Sequence, residues 1–83
     1  MQEVKYLSDL KPKGRGIIKK IEAKGNLKSK LIDMGILPRS KFEIIKLAPL
    51  GDPIGIKIKG YQLTLRKSEA SQITVEVDNE KTN

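Results

Sequence analysis

IGIKIKGYQLTL, residues 54–65, alternates apolar and polar side chains through Ile54, Ile56 and Ile58, breaks at Lys59-Gly60, and alternates again through Tyr61, Leu63 and Leu65. A period of two marks a strand with one buried face, because successive side chains point to opposite sides of the backbone. The lone Gly60 between the runs predicts a tight hairpin or a bulged corner, with the two strands as antiparallel neighbours. Downstream, Ile73, Val75 and Val77 repeat the alternation in a further strand.

Upstream the pattern is less regular. RGIIKKIE (Arg15 to Glu22) and KFEIIKL (Lys41 to Leu47) are rich in β-branched residues, but their apolar positions do not alternate cleanly. Such strands are expected to bend and to turn both faces inward. Five short strands from Tyr6 onward, separated by Gly, Pro and Asp, predict a mainly β fold, a small barrel or sandwich. One stretch has helical spacing. Leu27, Leu31 and Met34 stand at i, i+4 and i+7, with Asn26 placed as N-cap and Gly35 as C-cap. A helix of two to three turns is unstable alone, so its leucine stripe should pack on the sheet and leave Lys28, Ser29 and Lys30 outside. A second helical turn is read from Ser68 as N-cap, with Ala70 facing inward. Lys11-Pro12-Lys13-Gly14 and Leu37-Pro38-Arg39-Ser40 are β-turn sequences with Pro at the second position. The expected organisation is one domain over residues 1–77 and a polar, frayed tail over residues 78–83.

Composition narrows the chemistry. Eighty-three residues hold one domain with one thin core. Cysteine is absent, which excludes a disulfide framework and a thiolate metal site. Histidine is absent too, and with it go the commonest transition-metal ligand and the commonest general base. No apolar run approaches the roughly 20 residues of a membrane helix and no leader pattern opens the chain, so a cytoplasmic location is expected. Seventeen Lys and Arg against ten Asp and Glu give +7, and fourteen of those cations are lysines spread along the chain. That balance suits an acidic protein, nucleic acid or an anionic membrane face, and equally a plainly solvated surface. Against nucleic acid, Tyr6, Phe42 and Tyr61 are the only aromatics, too few for a base-stacking platform.

Motifs for catalysis are missing. Gly14-Arg15-Gly16 is short, precedes a strand and lacks the Lys-Ser/Thr of a phosphate loop. No hydroxyl has a histidine to activate it. Asp9, Asp33 and Asp52 lie near turns without a calcium-loop spacing, so neither a metal nor a cofactor is assigned. The best candidate for function is the loop Ala48-Pro49-Leu50-Gly51-Asp52-Pro53, where Leu50 at the tip either anchors a partner or folds back on the core. Arg66, with Glu69 three residues on, either holds the last turn together or recognises a carboxylate or phosphate on a partner.

The stretch 27–73, LKSKLIDMGILPRSKFEIIKLAPLGDPIGIKIKGYQLTLRKSEASQI, resembles the core of the FeoA family in the order and spacing of several features. These are Leu31, Met34, Gly35 and Pro38, the 48–53 loop, Gly60, Leu65-Arg66-Lys67 and Ala70, with Leu7 to Pro12 fitting at the front. The resemblance implies an SH3-like small barrel with the helix inserted between its first two strands. It also implies an accessory role beside a membrane ferrous-iron transporter that carries its own GTP-binding domain. An open sheet edge would allow weak homodimerisation as well. Leu37, Pro38, Leu50, Gly51, Asp52, Pro53 and Arg66 form the candidate partner-binding set. The chain departs from the family in one respect. The family commonly has Pro-Gly in both turns, whereas Pro12-Lys13 and Pro38-Arg39 stand here, so type I turns are expected in place of type II.

Overall fold

The computed structural model describes residues 2–47, 49 and 52–78. Six antiparallel strands form one curved sheet: β1 (Gln2–Tyr6), β2 (Arg15–Ile21), β3 (Lys41–Leu47), β4 (Ile54–Ile58), β5 (Tyr61–Leu65) and β6 (Ile73–Asp78), in the order β1-β6-β2-β3-β4-β5. The helix α1 (Gly25–Asp33) joins β2 to β3, and the single turn α2 (Lys67–Ala70) joins β5 to β6. The small SH3-like barrel read from the sequence is the architecture observed.

The strand count of five is corrected to six. β1 pairs along its whole length with β6, from Gln2 opposite Asp78 to Tyr6 opposite Thr74. α1 therefore lies between the second and third strands. β6 takes in Asp78, and the remainder of the expected tail lies outside the described residues.

The irregular strands have a physical cause. Register shifts between Ile18 and Lys20 in β2, and between Ile44 and Lys46 in β3, insert one residue into each ladder. A bulge resets the alternation, so Ile18 and Ile21 both reach the core although they stand three positions apart. The strands bend as expected, but both faces do not turn inward: Ile44 is fully buried while Ile45 next to it is exposed.

The barrel is filled by Ile18, Ile44, Ile54, Ile56, Ile58, Leu65, Ile73 and Val75, with Leu31 of α1 closing one end. Lys59 and Gly60, at φ 52° and 87°, make the two-residue hairpin between β4 and β5, whose primed turn matches the twist of the strands.

The helix ends are only partly as read. At the C-terminus of α1, Gly35 adopts φ 100°. Its N–H donates to Ile32 O and the Ile36 N–H to Leu31 O, with both Leu31 and Ile36 buried. This is a Schellman closure with its apolar contact. At the other end Asn26 is not the cap. The helix takes in Gly25 and Asn26, the flanking residue is Lys24, and no side chain caps it.

The expectation of type I turns is corrected. Lys13 and Arg39 both stand at φ 71°, with Gly14 N–H bonded to Lys11 O and Ser40 N–H to Leu37 O. Proline at the second position and positive φ at the third define type II. What holds a lysine and an arginine there is the same clasp used twice. Lys13 N–H donates to Ile44 O while Ile44 N–H donates to Gly14 O. Arg39 N–H donates to Ile18 O while Ile18 N–H donates to Ser40 O. Each turn is thus bonded at both positions to a buried isoleucine on the neighbouring strand. Those tertiary bonds outweigh the roughly 1–2 kcal/mol that a left-handed conformation costs a non-glycine residue.

Candidate functional site

An open cleft of about 410 Å³ lies between α1, the start of β4, and the segment joining β5 to α2. It is lined by Lys30 and Met34 from the helix, by Asp52 and Pro53, and by Thr64, Leu65, Arg66 and Glu69. Three of the seven candidate partner residues, Asp52, Pro53 and Arg66, therefore meet in one place although Arg66 is thirteen positions from Pro53. Leu37 and Pro38 do not line it; they belong to the turn clasped to β2. Leu50 and Gly51 lie outside the described residues.

The floor of the cleft is built around the first turn of α2. A helix start leaves backbone N–H groups without intrahelical partners, and here two consecutive ones are satisfied by carboxylates from different directions. Glu69 Oε1 accepts from the Arg66 N–H at 2.9 Å, and Asp52 Oδ1 accepts from the Lys67 N–H at 3.0 Å. Ser68 is not the cap: the flanking residue is Arg66, and Glu69 reaches back to it. Asp52 thus pins the approach to β4 onto α2 across the cleft.

Glu69 has a second bond that sequence reasoning missed. Its Oε2 accepts from Lys30 Nζ at 2.7 Å, tying α1 to α2. The glutamate side chain is only 9% exposed and the lysine 58%. The Lys30 hydrogen bond, followed by the Arg66 amide bond, holds the Glu69 carboxyl below its ordinary value, and burial pushes the other way without prevailing. Arg66 braces this turn through its main chain, and its guanidinium, which makes no hydrogen bond or ion pair among the described residues, adds positive charge that helps to hold the Glu69 carboxyl low.

The depressed carboxyl makes stability depend on acid. The folded state holds this proton less tightly than the unfolded state does, so the Glu69 contribution is fully present above about pH 4.5 and is lost as pH falls through the lower folded value. Glu69→Gln is expected to cost about 1 kcal/mol at pH 7, measured as a urea midpoint. The gap from the parent should narrow progressively as the pH falls below about 4.5, and a gap that stays constant down to acid unfolding would mean the ionised pair contributes nothing.

Chemically the cleft offers the Arg66 guanidinium, unbonded among the described residues, and a half-engaged ammonium beside the apolar surfaces of Met34 and Pro53. That is a binding surface for an acidic side chain with an apolar neighbour. Among the described residues no three carboxylates gather into a metal-holding group. Nor is any helix among them long and apolar enough to cross a membrane.

The model of the FeoA domain matches residues 5–77 of the chain. The chain belongs to the FeoA family. Among FeoA relatives, the Fe(2+) transport protein A/Fe(2+) transporter FeoB fusion protein of Porphyromonas gingivalis is 30% identical over 71 residues. That match covers 86% of this chain and 8% of the fusion protein, so the chain spans a small part of that relative's length. The FeoA-like protein of Clostridium acetobutylicum superposes with a TM-score of 0.88 at 36% identity, covering all of this chain and 96% of the other. Iron(II) transport protein A of Clostridium thermocellum gives 0.84 at 48% identity, over 88% of this chain and 45% of that one.

Proposed function

We propose that this FeoA-family domain is a cytoplasmic accessory module of ferrous iron uptake that acts by binding, not by catalysis, and whose partner is an FeoB-like membrane transporter with a GTP-binding domain. The observation that carries this reading is the Porphyromonas gingivalis relative, in which a matching A-type segment and the transporter share one polypeptide. Covalent linkage places two modules at high effective concentration, an arrangement suited to components that work in contact. The cleft is the proposed docking site, with Arg66 as the group that meets an acidic side chain of the transporter and Asp52 and Pro53 shaping its wall. Leu37 and Pro38, outside the cleft, belong to the proposed contact set, as do Leu50 and Gly51, which lie outside the described residues.

The test is capture of the transporter from membrane extract at about 150 mM salt, with and without nuclease, using the parent chain and Arg66→Glu. The parent should retain an iron transporter whether or not nuclease is present. Arg66→Glu should bind at least tenfold more weakly, as expected for losing one charged hydrogen-bonding partner, while its circular dichroism shows it still folded. Recovery of nucleic acid alone, lost as salt rises, would overturn the reading in favour of a basic nucleic-acid-binding barrel.

A further inference from the structure

The outer edge of the sheet carries a pattern that the cleft does not use. β1 is terminal in the strand order and, among the described residues, bonds through its backbone only to β6. A strand edge of this kind presents a row of free N–H and C=O groups, and proteins normally shield it with charge, proline or a bulge. β1 is five residues long with a continuous ladder. Its two apolar residues, Val4 and Tyr6, share one face and are 54% and 46% exposed. On the other face Glu3 and Lys5 form a 3.8 Å contact with both side chains more than 40% exposed, a geometry that contributes little.

We propose that β1 is a self-complementary edge that pairs antiparallel with β1 of a second copy of this chain, in the register that places Val4 opposite Val4. The order Glu3-Val4-Lys5 selects that register. With the two-fold axis beside Val4, Glu3 of each copy lies directly opposite the second copy's Lys5, so two opposite-charge cross-strand pairs replace two weak neighbour contacts. Moving the axis by one residue in either direction brings Glu3 against Glu3 or Lys5 against Lys5. Like charges directly opposite one another disfavour both alternatives. In the selected register Val4 and Tyr6 of both copies form one apolar strip on a sheet continuous across the pair, covering the exposed side chains that the monomer leaves in water. The contact is isologous, so it closes as a dimer and does not propagate. Five residues per copy make a small interface, and the dimer is expected to dissociate with a constant on the order of 100 μM.

The surface lies on the opposite edge of the sheet order from β5 and the cleft, so it stands or falls separately from transporter binding. Sedimentation velocity on the full chain from about 10 μM to 1 mM should show a monomer–dimer equilibrium in that range. Glu3→Lys, which turns both cross-strand pairs into two ammonium groups facing each other, should weaken dimerisation at least tenfold. Adding Lys5→Glu restores opposite charges and should recover it. Because the chain has no cysteine, Val4→Cys introduces a unique thiol that a short bis-maleimide should join into a covalent dimer, whereas Lys57→Cys on β4 should remain monomeric. A chain that stays monomeric at about 1 mM would overturn the proposal. So would a dimer indifferent to Glu3→Lys, or one that Lys5→Glu fails to rescue.

Discussion

Replacing Gly16 by alanine is expected to destabilise the barrel by about 3 kcal/mol, and to lower the melting temperature of a domain this small by roughly 12–24 °C. Gly16 is the point where β2 changes partners, paired with Phe42 of β3 just before Ile17 takes up Glu76 of β6. A Cβ placed there would overlap the main-chain oxygen of Glu76 and stand 3.1 Å from Val77 Cγ1 and 3.2 Å from Phe42 Cε1. The oxygen cannot rotate away, because it belongs to a strand held on both sides by β1 and β2. Relief must come from separating β2 from β6, which loosens the ladder and the packing of Ile18 and Val75 together. Urea unfolding measures the loss; a change under about 0.5 kcal/mol would show that the two strands have slack which the fold does not reveal.

Gly35→Ala should cost about 2–3 kcal/mol by a different route. At φ 100° a side chain is strained whatever the surrounding space, and the added Cβ would also overlap the Tyr61 hydroxyl. Tyr61 is 46% exposed and can swing outward, so the overlap itself is relieved cheaply. The movement nevertheless breaks the 3.0 Å bond from the Tyr61 hydroxyl to Met34 O, which joins β5 to the end of α1. The loss is therefore the backbone strain plus that hydrogen bond. Tyr61→Phe alone should cost about 1 kcal/mol, and the double variant should be no worse than Gly35→Ala, since the bond is already broken there. Full additivity in that cycle would show that the two residues act independently.

Much of this fold is legible in the sequence because burial and periodicity coincide. β4, β5 and β6 each have one face on the core, so their apolar residues fall at alternate positions, and Leu27, Leu31 and Met34 trace the helix for the same reason. β1 is not legible: among the described residues it pairs only with β6, and its alternation is two apolar residues long, Val4 and Tyr6, both exposed, which is too short a pattern to mark a strand without a buried face. The turn type escapes sequence reading because a lysine or arginine at positive φ is locally unfavourable, and the two main-chain clasps that reverse the balance come from residues 21 to 31 positions away. At the site, Asp52, Pro53 and Arg66 are recognisable from their setting among Pro and Gly or beside a strand end. Lys30 reads as an ordinary solvated residue of the exposed helix face. Its pairing with Glu69, 39 positions on, has no local signal; a glutamate beside the inward Ala70 in a one-turn helix is the only hint that its charge needs a partner.

The paired clasps at Ile18 and Ile44 have a consequence for how such a surface can change over generations. Both are made entirely by main-chain atoms, so the side chains at positions 13 and 39 take no part in holding the turns. The ladder fixes where those two stems emerge, and the letters written there are left to drift. Two basic groups now stand on exposed, rigid mounts, and a lineage could trade them for acidic, neutral or bare positions, retuning what the barrel attracts while the barrel itself stays as it is.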